Sequence, residues 1–237
     1  MPISHIIADL HLCDDRPDIT AGFLKYLNEV AVEATHLYIL GDFFEAWVGD
    51  DARSSCIDLV TTALSRRAAQ GKRQYFCHGN RDFLVGPSFC EAARLELLDD
   101  ETIVRLAGKK TLLMHGDSLC TDDRDYQAFR QMVRQADWQA QFLQQPLTTR
   151  LAIAAELRSK SKDASREKAD DIMDVNTGTV LETCARHQVT CLVHGHTHRP
   201  AVHNEHGICR VVVGDWDAGM RYARADAQSL TLHHWTW

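Results

Sequence analysis

The chain has 237 residues, of which 45% are hydrophobic and 25% are charged, and its formal net charge is -7. This balance is typical of a soluble globular protein, and the length suits one domain or one domain that carries an insertion. A broad nucleic-acid surface is excluded because binding to phosphate backbones requires clustered Lys and Arg. We therefore expect a compact, enzyme-sized body that binds no nucleic acid.

The start of the chain, MPISHIIADL, lacks the basic and apolar regions of a signal peptide, and no apolar run is long enough to span a membrane. We expect a cytosolic protein, or one attached to a membrane only at its surface.

The eight cysteines are widely spaced and form no CxxC pair. Reduced, buried thiols are therefore expected rather than a disulfide framework or a structural zinc site.

Strands and helices are predicted to alternate in the first third of the chain. Apolar runs predict strands in SHIIADLHL, THLYILGDFF and RQYFCHGNRDF, and helical spacing predicts helices in TAGFLKYLNEVAVEA and IDLVTTALSRRAAQG. If the first strand stays extended to its end, Asp9 and His11 point to the same side. The alternation of elements favours an α/β core.

The later strands are predicted in KTLLMHGDSL, VTCLVHGHTHRP, ICRVVVGDW and SLTLHHWTW. Between the first two lies a segment of different character, where DYQAFRQMVRQADWQAQFLQQP predicts one helix ended by Pro146 and LTTRLAIAAELRSK predicts a second. A returning helix is predicted in MDVNTGTVLETCARH, capped by Asn176 or Thr177. We predict a core of residues 1–120 and 170–237 and a helical insertion of residues 121–169.

Short polar motifs follow the predicted strands: DLH, GD, GNRD, HGD and HGHTH. Alone, each is more often a turn or a surface pair, but their joint occurrence after apolar strands favours a metal site. Carboxylate, imidazole and amide ligands without a thiolate suit Mn, Fe or Zn. The predicted ligands are Asp9, His11, Asp42, Asn80, His115, His196 and His198.

The order DxH, GD, GNRD, H and GHxH resembles that of the calcineurin-like metallophosphoesterases over nearly the whole chain except the insertion. The resemblance implies an α/β fold of two packed mixed β-sheets flanked by helices, with a helical lid. It also implies two ions, Mn²⁺ by expectation, that share Asp42. One ion would be held by Asp9, His11, Asp42 and His198, and the other by Asp42, Asn80, His115 and His196. Asp82 and Asp117 are either carboxylates that orient imidazoles or plain surface acids.

Within this family, LGDFFEAWVGDD, HGNRDFL and MHGDSLCTDD resemble the branch that acts in lipid A biosynthesis, and differ from the GDxVDRG and GNHE of protein phosphatases. The implied reaction is hydrolysis of the pyrophosphate bond of UDP-2,3-diacylglucosamine to 2,3-diacylglucosamine 1-phosphate and UMP, by a hydroxide that two metal ions activate. The implied catalytic residues are Arg81, Asp42, Asn80 and His115. The implied substrate contacts are Asn80, Arg81, Asp123, Ser161, Ser165, Lys168 and His196, although the family often has Asn at the position of Ser165. Arg81 could alternatively form a surface salt bridge.

The insertion carries apolar side chains that either enclose the acyl chains of such a substrate or pack the two helices together. They are Phe129, Met132, Val133, Phe142, Leu143, Leu151, Ile153 and Leu157.

A basic run beside them is a solvated helix face, or contacts substrate phosphate or an anionic membrane. It consists of Arg158, Lys160, Lys162, Arg166 and Lys168. The implied partners are the lipid-linked UDP-sugar and the cytoplasmic face of the inner membrane, with peripheral attachment and no obligate protein partner.

Two other functions fit parts of the pattern. A metallophosphoesterase with a soluble substrate, such as a dinucleoside polyphosphate or a cyclic nucleotide, would share every predicted metal ligand. A binding scaffold that has lost catalysis should show gaps in the ligand set, and this chain shows none. The apolar insertion favours the lipid substrate over the soluble one.

Overall fold

The computed structural model describes residues 2–167, 174–214, 216–217 and 219–237, with side chains described only up to residue 159 in the first range. Its first sheet has six strands in the order β11-β10-β1-β2-β3-β4. Strands β1 to β4 run parallel, with β4 at one edge; at the other edge β10 pairs antiparallel with β1, and β11 pairs antiparallel with β10. The strands are β1 (Ser4–Ile7), β2 (His36–Ile39), β3 (Arg73–Phe76), β4 (Glu96–Leu97), β10 (Met220–Ala225) and β11 (Leu230–Trp235).

The second sheet has five strands in the order β5-β6-β7-β9-β8. Strands β6, β7 and β9 are parallel, and β5 and β8 are antiparallel at the two edges. The strands are β5 (Thr102–Leu106), β6 (Lys109–Leu113), β7 (Cys191–His194), β8 (Ala201–Glu205) and β9 (Ile208–Val212). Both sheets are therefore mixed, which the family resemblance implied.

Helices cover the outer face of each sheet. The first sheet packs against α1 (Pro17–Glu29), α2 (Ser55–Ala69) and α3 (Pro87–Ala93) through a large apolar cluster, and the second packs against α7 (Thr177–His187). Adjacent strand residues serve opposite faces, so Ile7 lies in the cluster under the helices while Ile6 lies between the sheets. The two sheets thus share one apolar layer, and the ends of their strands can meet at one edge.

Three described helices lie between β6 and α7, after a short 3-10 turn at Asp117–Leu119: α4 (Arg124–Val133), α5 (Ala136–Leu143) and α6 (Leu147–Glu167). The prediction of one helix up to Pro146 was wrong, because Gln135 adopts an extended conformation and separates α4 from α5. Trp138, Phe142 and Ile153 pack onto the main core cluster. Among the described residues, no helix is both long enough and apolar enough to cross a membrane.

The two ends of this helical segment are tied together. The backbone N–H of Asn176 donates to Leu119 O at 2.9 Å, and the hydroxyls of Thr121 and Thr179 lie 2.8 Å apart. Asn176 also caps α7 by accepting from Thr179 N, so Asn176 rather than Thr177 is the N-cap. The chain therefore leaves the core and returns to it at neighbouring points.

Candidate metal centre

Each predicted metal ligand lies just beyond the carboxyl end of a parallel strand. Asp9 and His11 follow β1, Asp42 follows β2 and Asn80 follows β3 in the first sheet, while the histidines follow β6 and β7 in the second. Because these strands end at the same edge of the two packed sheets, side chains from five loops converge there. The structure brings together Asp9, His11, Asp42, Asn80, His115, His196 and His198.

The ligand atoms face one another at short range. His11 Nε2 lies 3.1 Å from His198 Nε2, and Asn80 Oδ1 lies 2.9 Å from both His115 Nε2 and His196 Nδ1. His115 Nδ1 pairs with the carbonyl of Leu40 at 2.8 Å, so this ring nitrogen donates and the Nε2 lone pair is directed into the centre. His115 is thus oriented as a ligand of a cation in the centre.

Two groups of three residues place one ligand atom each within 4.8 Å of one another. One group is Asp9, His11 and His198, and the other is Asp9, Asp42 and His115. The resemblance implied Asp42 as the shared ligand, and the structure also places Asp9 within reach of both groups. This donor set of carboxylate, imidazole and amide atoms fits divalent cations of the Mn, Fe and Zn kind.

The electrostatics of the centre also fit a bound cation. Burial raises the pKa of Asp9 to about 7 despite the opposing effect of His115, so a cation beside it would favour its ionised form. Burial likewise opposes ionisation of Asp42, but the neighbouring His115 and His11 outweigh it and the pKa of Asp42 is lowered. Burial lowers the pKa of His196 and of His198 to about 4, so both are neutral, as metal ligation requires.

The backbone at the centre is unusual. Asp9, His11, Asp42, His196 and His198 all have positive φ angles between 47° and 68°, a left-handed conformation that is costly for residues other than Gly. The expected extended strand through Asp9 and His11 was therefore wrong: β1 ends at Ile7. The tight turns are held by backbone hydrogen bonds from Asp9 N to Gly41 O and from His11 N to Asp42 O.

Glycines allow the loops to approach each other closely. A Cβ on Gly195 or on Gly214 would lie 2.4 Å from Asp9 Oδ2, and a Cβ on Gly79 would lie 2.2 Å from Asp42 N. Any side chain at these positions would displace the ligand carboxylates. Gly79 and Gly195, which precede Asn80 and His196, therefore make room for Asp42 and Asp9 of other loops.

Asp82 and Asp117 are buried, yet among the residues that the structure describes neither carboxylate bonds an imidazole. Asp82 accepts hydrogen bonds from the backbone N–H groups of Asp42, Phe43, Phe44 and Gly79 and so holds the loops after β2 and β3 together. Asp117 instead accepts from the α4 side chains described below. Both readings of these residues, as imidazole-orienting groups or as surface acids, were wrong.

Arg81 lies beside the centre, as predicted. Its Nε is 3.3 Å from Asp42 Oδ2, and its Nη1 donates to Glu45 Oε2 at 3.2 Å. Glu45 was missed by the sequence analysis although it lies three residues after Asp42 in the same loop. Burial opposes its ionisation, but His11, Arg81 and Arg158 outweigh burial and lower the pKa of Glu45 to about 2.

One face of α4 was also missed. Tyr126 stacks on His196 with ring centroids 5.9 Å apart, and its hydroxyl donates to Asp117 at 2.7 Å. Arg130 Nε donates to the same carboxylate at 2.7 Å, and Arg134 donates to Gly79 O at 2.9 Å. The spacing of four residues between Tyr126, Arg130 and Arg134 was the available signal that one helix face contacts the centre.

Of the four implied substrate contacts outside the centre, the structure describes the side chain of Asp123 only. Asp123 caps α4 by accepting from Tyr126 N at 3.1 Å, which places it at the end of the helix nearest the sheet edge. Ser161 and Ser165 lie on α6, where their side chains are outside the described residues, and Lys168 lies outside them entirely. In the basic run, the side chains of Lys160, Lys162 and Arg166 likewise lie outside the described residues.

The apolar side chains of the insertion divide into two groups. Val133 and Phe142 are buried, and Phe129, Ile153 and Leu157 are half-buried. Met132, Leu143 and Leu151 are 41–50% exposed. Packing against the core therefore accounts for part of this set, and three large apolar side chains remain open to a ligand.

A family model described as calcineurin-like phosphoesterase matches residues 5–200 of the chain. A protein of Chromohalobacter salexigens named UDP-2,3-diacylglucosamine hydrolase is 50% identical over 90% of this chain and 89% of its own. A protein of the same name from Escherichia coli is 46% identical over 96% of this chain and 97% of its own. The solved structure of an archaeal phosphodiesterase is 13% identical, covers 98% of this chain and 99% of that one, and has a TM-score of 0.49.

Proposed function

This chain belongs to the calcineurin-like phosphoesterase family, and we propose that it hydrolyses the pyrophosphate bond of UDP-2,3-diacylglucosamine. The products are 2,3-diacylglucosamine 1-phosphate and UMP, as in lipid A biosynthesis. The assignment of the substrate rests on similarity to two proteins named UDP-2,3-diacylglucosamine hydrolase. They are 46–50% identical to this chain along nearly its whole length. The converging ligand set supports hydrolysis of a phosphate bond.

The cofactor in this proposal is a pair of Mn²⁺ ions. The seven ligand-type side chains and the two groups that share Asp9 support two neighbouring cations. When bound, such ions lower the pKa of water and neutralise charge on phosphoryl oxygens. Asp9, His11, Asp42 and His198 would hold one ion, and Asp42, Asn80, His115 and His196 would hold the other.

The catalytic contribution of the chain itself is to orient groups and to supply positive charge. Asn80 Oδ1 lies between His115 and His196, so the amide keeps two imidazoles in a fixed relation. The Arg81 guanidinium, half-buried beside Asp42, is a fixed cation at the place where phosphoryl oxygens would gain negative charge. A preformed site of this kind needs little rearrangement during the reaction.

The helical segment would receive the acyl chains. Its exposed apolar residues Met132, Leu143 and Leu151 support this role, because a polar metal centre cannot enclose two hydrocarbon chains. The lipid substrate in turn supports a peripheral location on the cytoplasmic face of the inner membrane. Ser161, Ser165 and Lys168 remain proposed contacts of the substrate.

The decisive experiment is hydrolysis of detergent-dispersed UDP-2,3-diacylglucosamine by metal-stripped protein, with and without added Mn²⁺, beside the variant Asp42→Ala. We expect the wild-type protein to release UMP only when Mn²⁺ is present, and the variant to release at least a hundredfold less. Robust hydrolysis of soluble dinucleotides without release of UMP from the lipid would overturn the assignment of the lipid substrate. The assignment of the metal centre would not be affected.

A further inference from the structure

Glu45 lies where the metal centre meets the helical segment. Its side chain is one-third exposed and faces side-chain nitrogen atoms from three separate parts of the chain. These are the loop after β1, the loop after β3 and helix α6, which contribute His11, Arg81 and Arg158. A single carboxylate thus joins three elements that are far apart in sequence.

The two oxygens of this carboxylate serve different partners. Oε2 lies 3.3 Å from His11 Nδ1 and accepts from Arg81 Nη1 at 3.2 Å, so it faces the metal centre. Oε1 instead accepts from Arg158 Nη2 on α6. A shift of α6 would therefore be transmitted through one rigid carboxylate to the side chains around the ions.

The contact with His11 matters because an imidazole ligand is oriented through its second nitrogen. In His115 that nitrogen pairs with the carbonyl of Leu40. In His11 the corresponding Nδ1 is buried and makes no hydrogen bond within the described part of the chain, while Glu45 Oε2 lies beside it. A small rotation of the ring would complete this bond and leave Nε2 directed at the cation.

We propose that Glu45 is a positioning residue that couples the placement of α6 to the geometry of the metal centre, by orienting His11 and Arg81 with one oxygen and retaining Arg158 with the other. The inference rests on the proposed function only in treating the helical segment as the part that receives substrate. The proposal gives Glu45 no direct contact with the cation or with the substrate.

Helix α6 has a second attachment that provides a matched control. Arg150, two turns before Arg158, is buried and pairs with Asp51, and its other hydrogen bonds within the described residues go to the carbonyls of Val48 and Gln145 rather than to groups around the ions. Substitution of Arg150 therefore loosens α6 without disturbing His11 or Arg81. Substitution of Arg158 loosens α6 and also breaks the link to Glu45.

The test compares the full-length variants Glu45→Gln, Arg158→Met and Arg150→Met with the wild-type protein. Mn²⁺ affinity is measured by calorimetric titration, and backbone hydrogen exchange of α6 is measured with and without Mn²⁺. Glu45→Gln is expected to weaken Mn²⁺ binding about tenfold, since loss of a group that supports a metal ligand typically costs 10–100-fold. Mn²⁺ is expected to slow exchange in α6 of the wild-type protein and of Arg150→Met, but not in Glu45→Gln or Arg158→Met.

Wild-type Mn²⁺ affinity in Glu45→Gln, or an unchanged effect of Mn²⁺ on α6 in both Glu45→Gln and Arg158→Met, would overturn the coupling. Because Arg158→Met leaves Glu45 in place, it tests the link even if Glu45→Gln folds poorly. Neither readout depends on turnover. A protein that binds Mn²⁺ with this coupling but does not release UMP from the lipid would refute the proposed function alone.

Discussion

His5 is a fully buried residue of β1 that titrates differently in the folded and unfolded chain. Its Nδ1 lies 2.9 Å from the Tyr26 hydroxyl and its Nε2 lies 3.3 Å from Glu33, while the ring packs on Tyr222. Burial lowers the pKa of His5 to about 4, despite the opposing effect of Glu33. The imidazole is therefore neutral in the folded protein at pH values where it is protonated in the unfolded chain.

This difference predicts a loss of stability in mild acid. As the pH falls from about 6.5 to about 4, the unfolded chain binds a proton that folded His5 rejects, which costs about 3 kcal/mol by pH 4. In His5→Gln the loss is absent, so the wild-type protein should lose about 3 kcal/mol more than the variant between pH 7 and pH 4. Urea unfolding of both proteins in chelator measures this difference, and parallel stability curves would contradict it.

The convergence of the candidate ligands at one end of the sheets could be predicted from the sequence, but their backbone conformations could not. Asp9 and His11 occur in a recognisable motif. Their positive φ angles, however, are imposed by contacts with the loop after β2, and the types of the two residues do not indicate them. Glu45 was missed for a similar reason. Its partners Arg81 and Arg158 approach only in the folded chain.

At the scale of elements, α4 is fastened to the core by ion pairs as much as by apolar contacts. Arg130 pairs with buried Asp117 and also with Asp100 at 3.0 Å, and Arg134 pairs with Asp100 at 3.3 Å. Burial opposes the ionisation of Asp117, but His115 and Arg130 outweigh it and lower its pKa. The stability of α4 therefore depends on keeping this charge paired.

Removal of Arg130 should expose that dependence. We expect Arg130→Met to reduce the free energy of unfolding by about 3 kcal/mol, because the Asp117 carboxylate stays buried without its cation. In the double variant Asp117→Asn/Arg130→Met the buried charge is gone, and at least half of the loss should be recovered. Urea unfolding, with hydrogen exchange of α4 as a local probe, measures both; equal destabilisation of the two variants would contradict the argument.

The elements that the sequence predicted are those with long apolar runs or clear helical spacing, such as β2, β6, β7 and α2. Short edge strands were missed: β4 has two residues and both are exposed, so no apolar pattern marks it. The break between α4 and α5 was missed because Gln135 is an ordinary helix former. Its extended conformation follows from the way the two helices dock on the core.

At the scale of the whole molecule, the metal centre connects the two sheets. Asp9, Asp42 and Asn80 come from the first sheet, while His115, His196 and His198 come from the second. A cation bound here would cross-link two layers whose faces share an apolar cluster and whose loops are joined by hydrogen bonds such as that between His115 Nδ1 and Leu40 O. Its binding also offsets the repulsion between the buried carboxylates and the cost of the left-handed ligand residues.

Metal removal should therefore lower the stability of the entire fold. Mn²⁺ at about a hundred times its dissociation constant should stabilise the wild-type protein by about 2.7 kcal/mol, which raises Tm by roughly 5–10 °C for a chain of this size. The variant Asp42→Ala should show little of this rise. Differential scanning calorimetry in Mn²⁺ and in chelator checks the prediction, and coincident wild-type transitions would refute it.

The joined ends of the helical segment bear on how such a protein can diverge. Because Leu119 and Asn176 are hydrogen-bonded neighbours, a short turn could join these two points in place of the helices between them, at the cost of the core contacts of Trp138 and Phe142. Descendants of one ancestor could exchange this helical segment, and with it their preference for the hydrophobic part of a substrate, while inheriting the same reaction centre. The contact between Glu45 and Arg158 is then the feature that every new segment would have to rebuild.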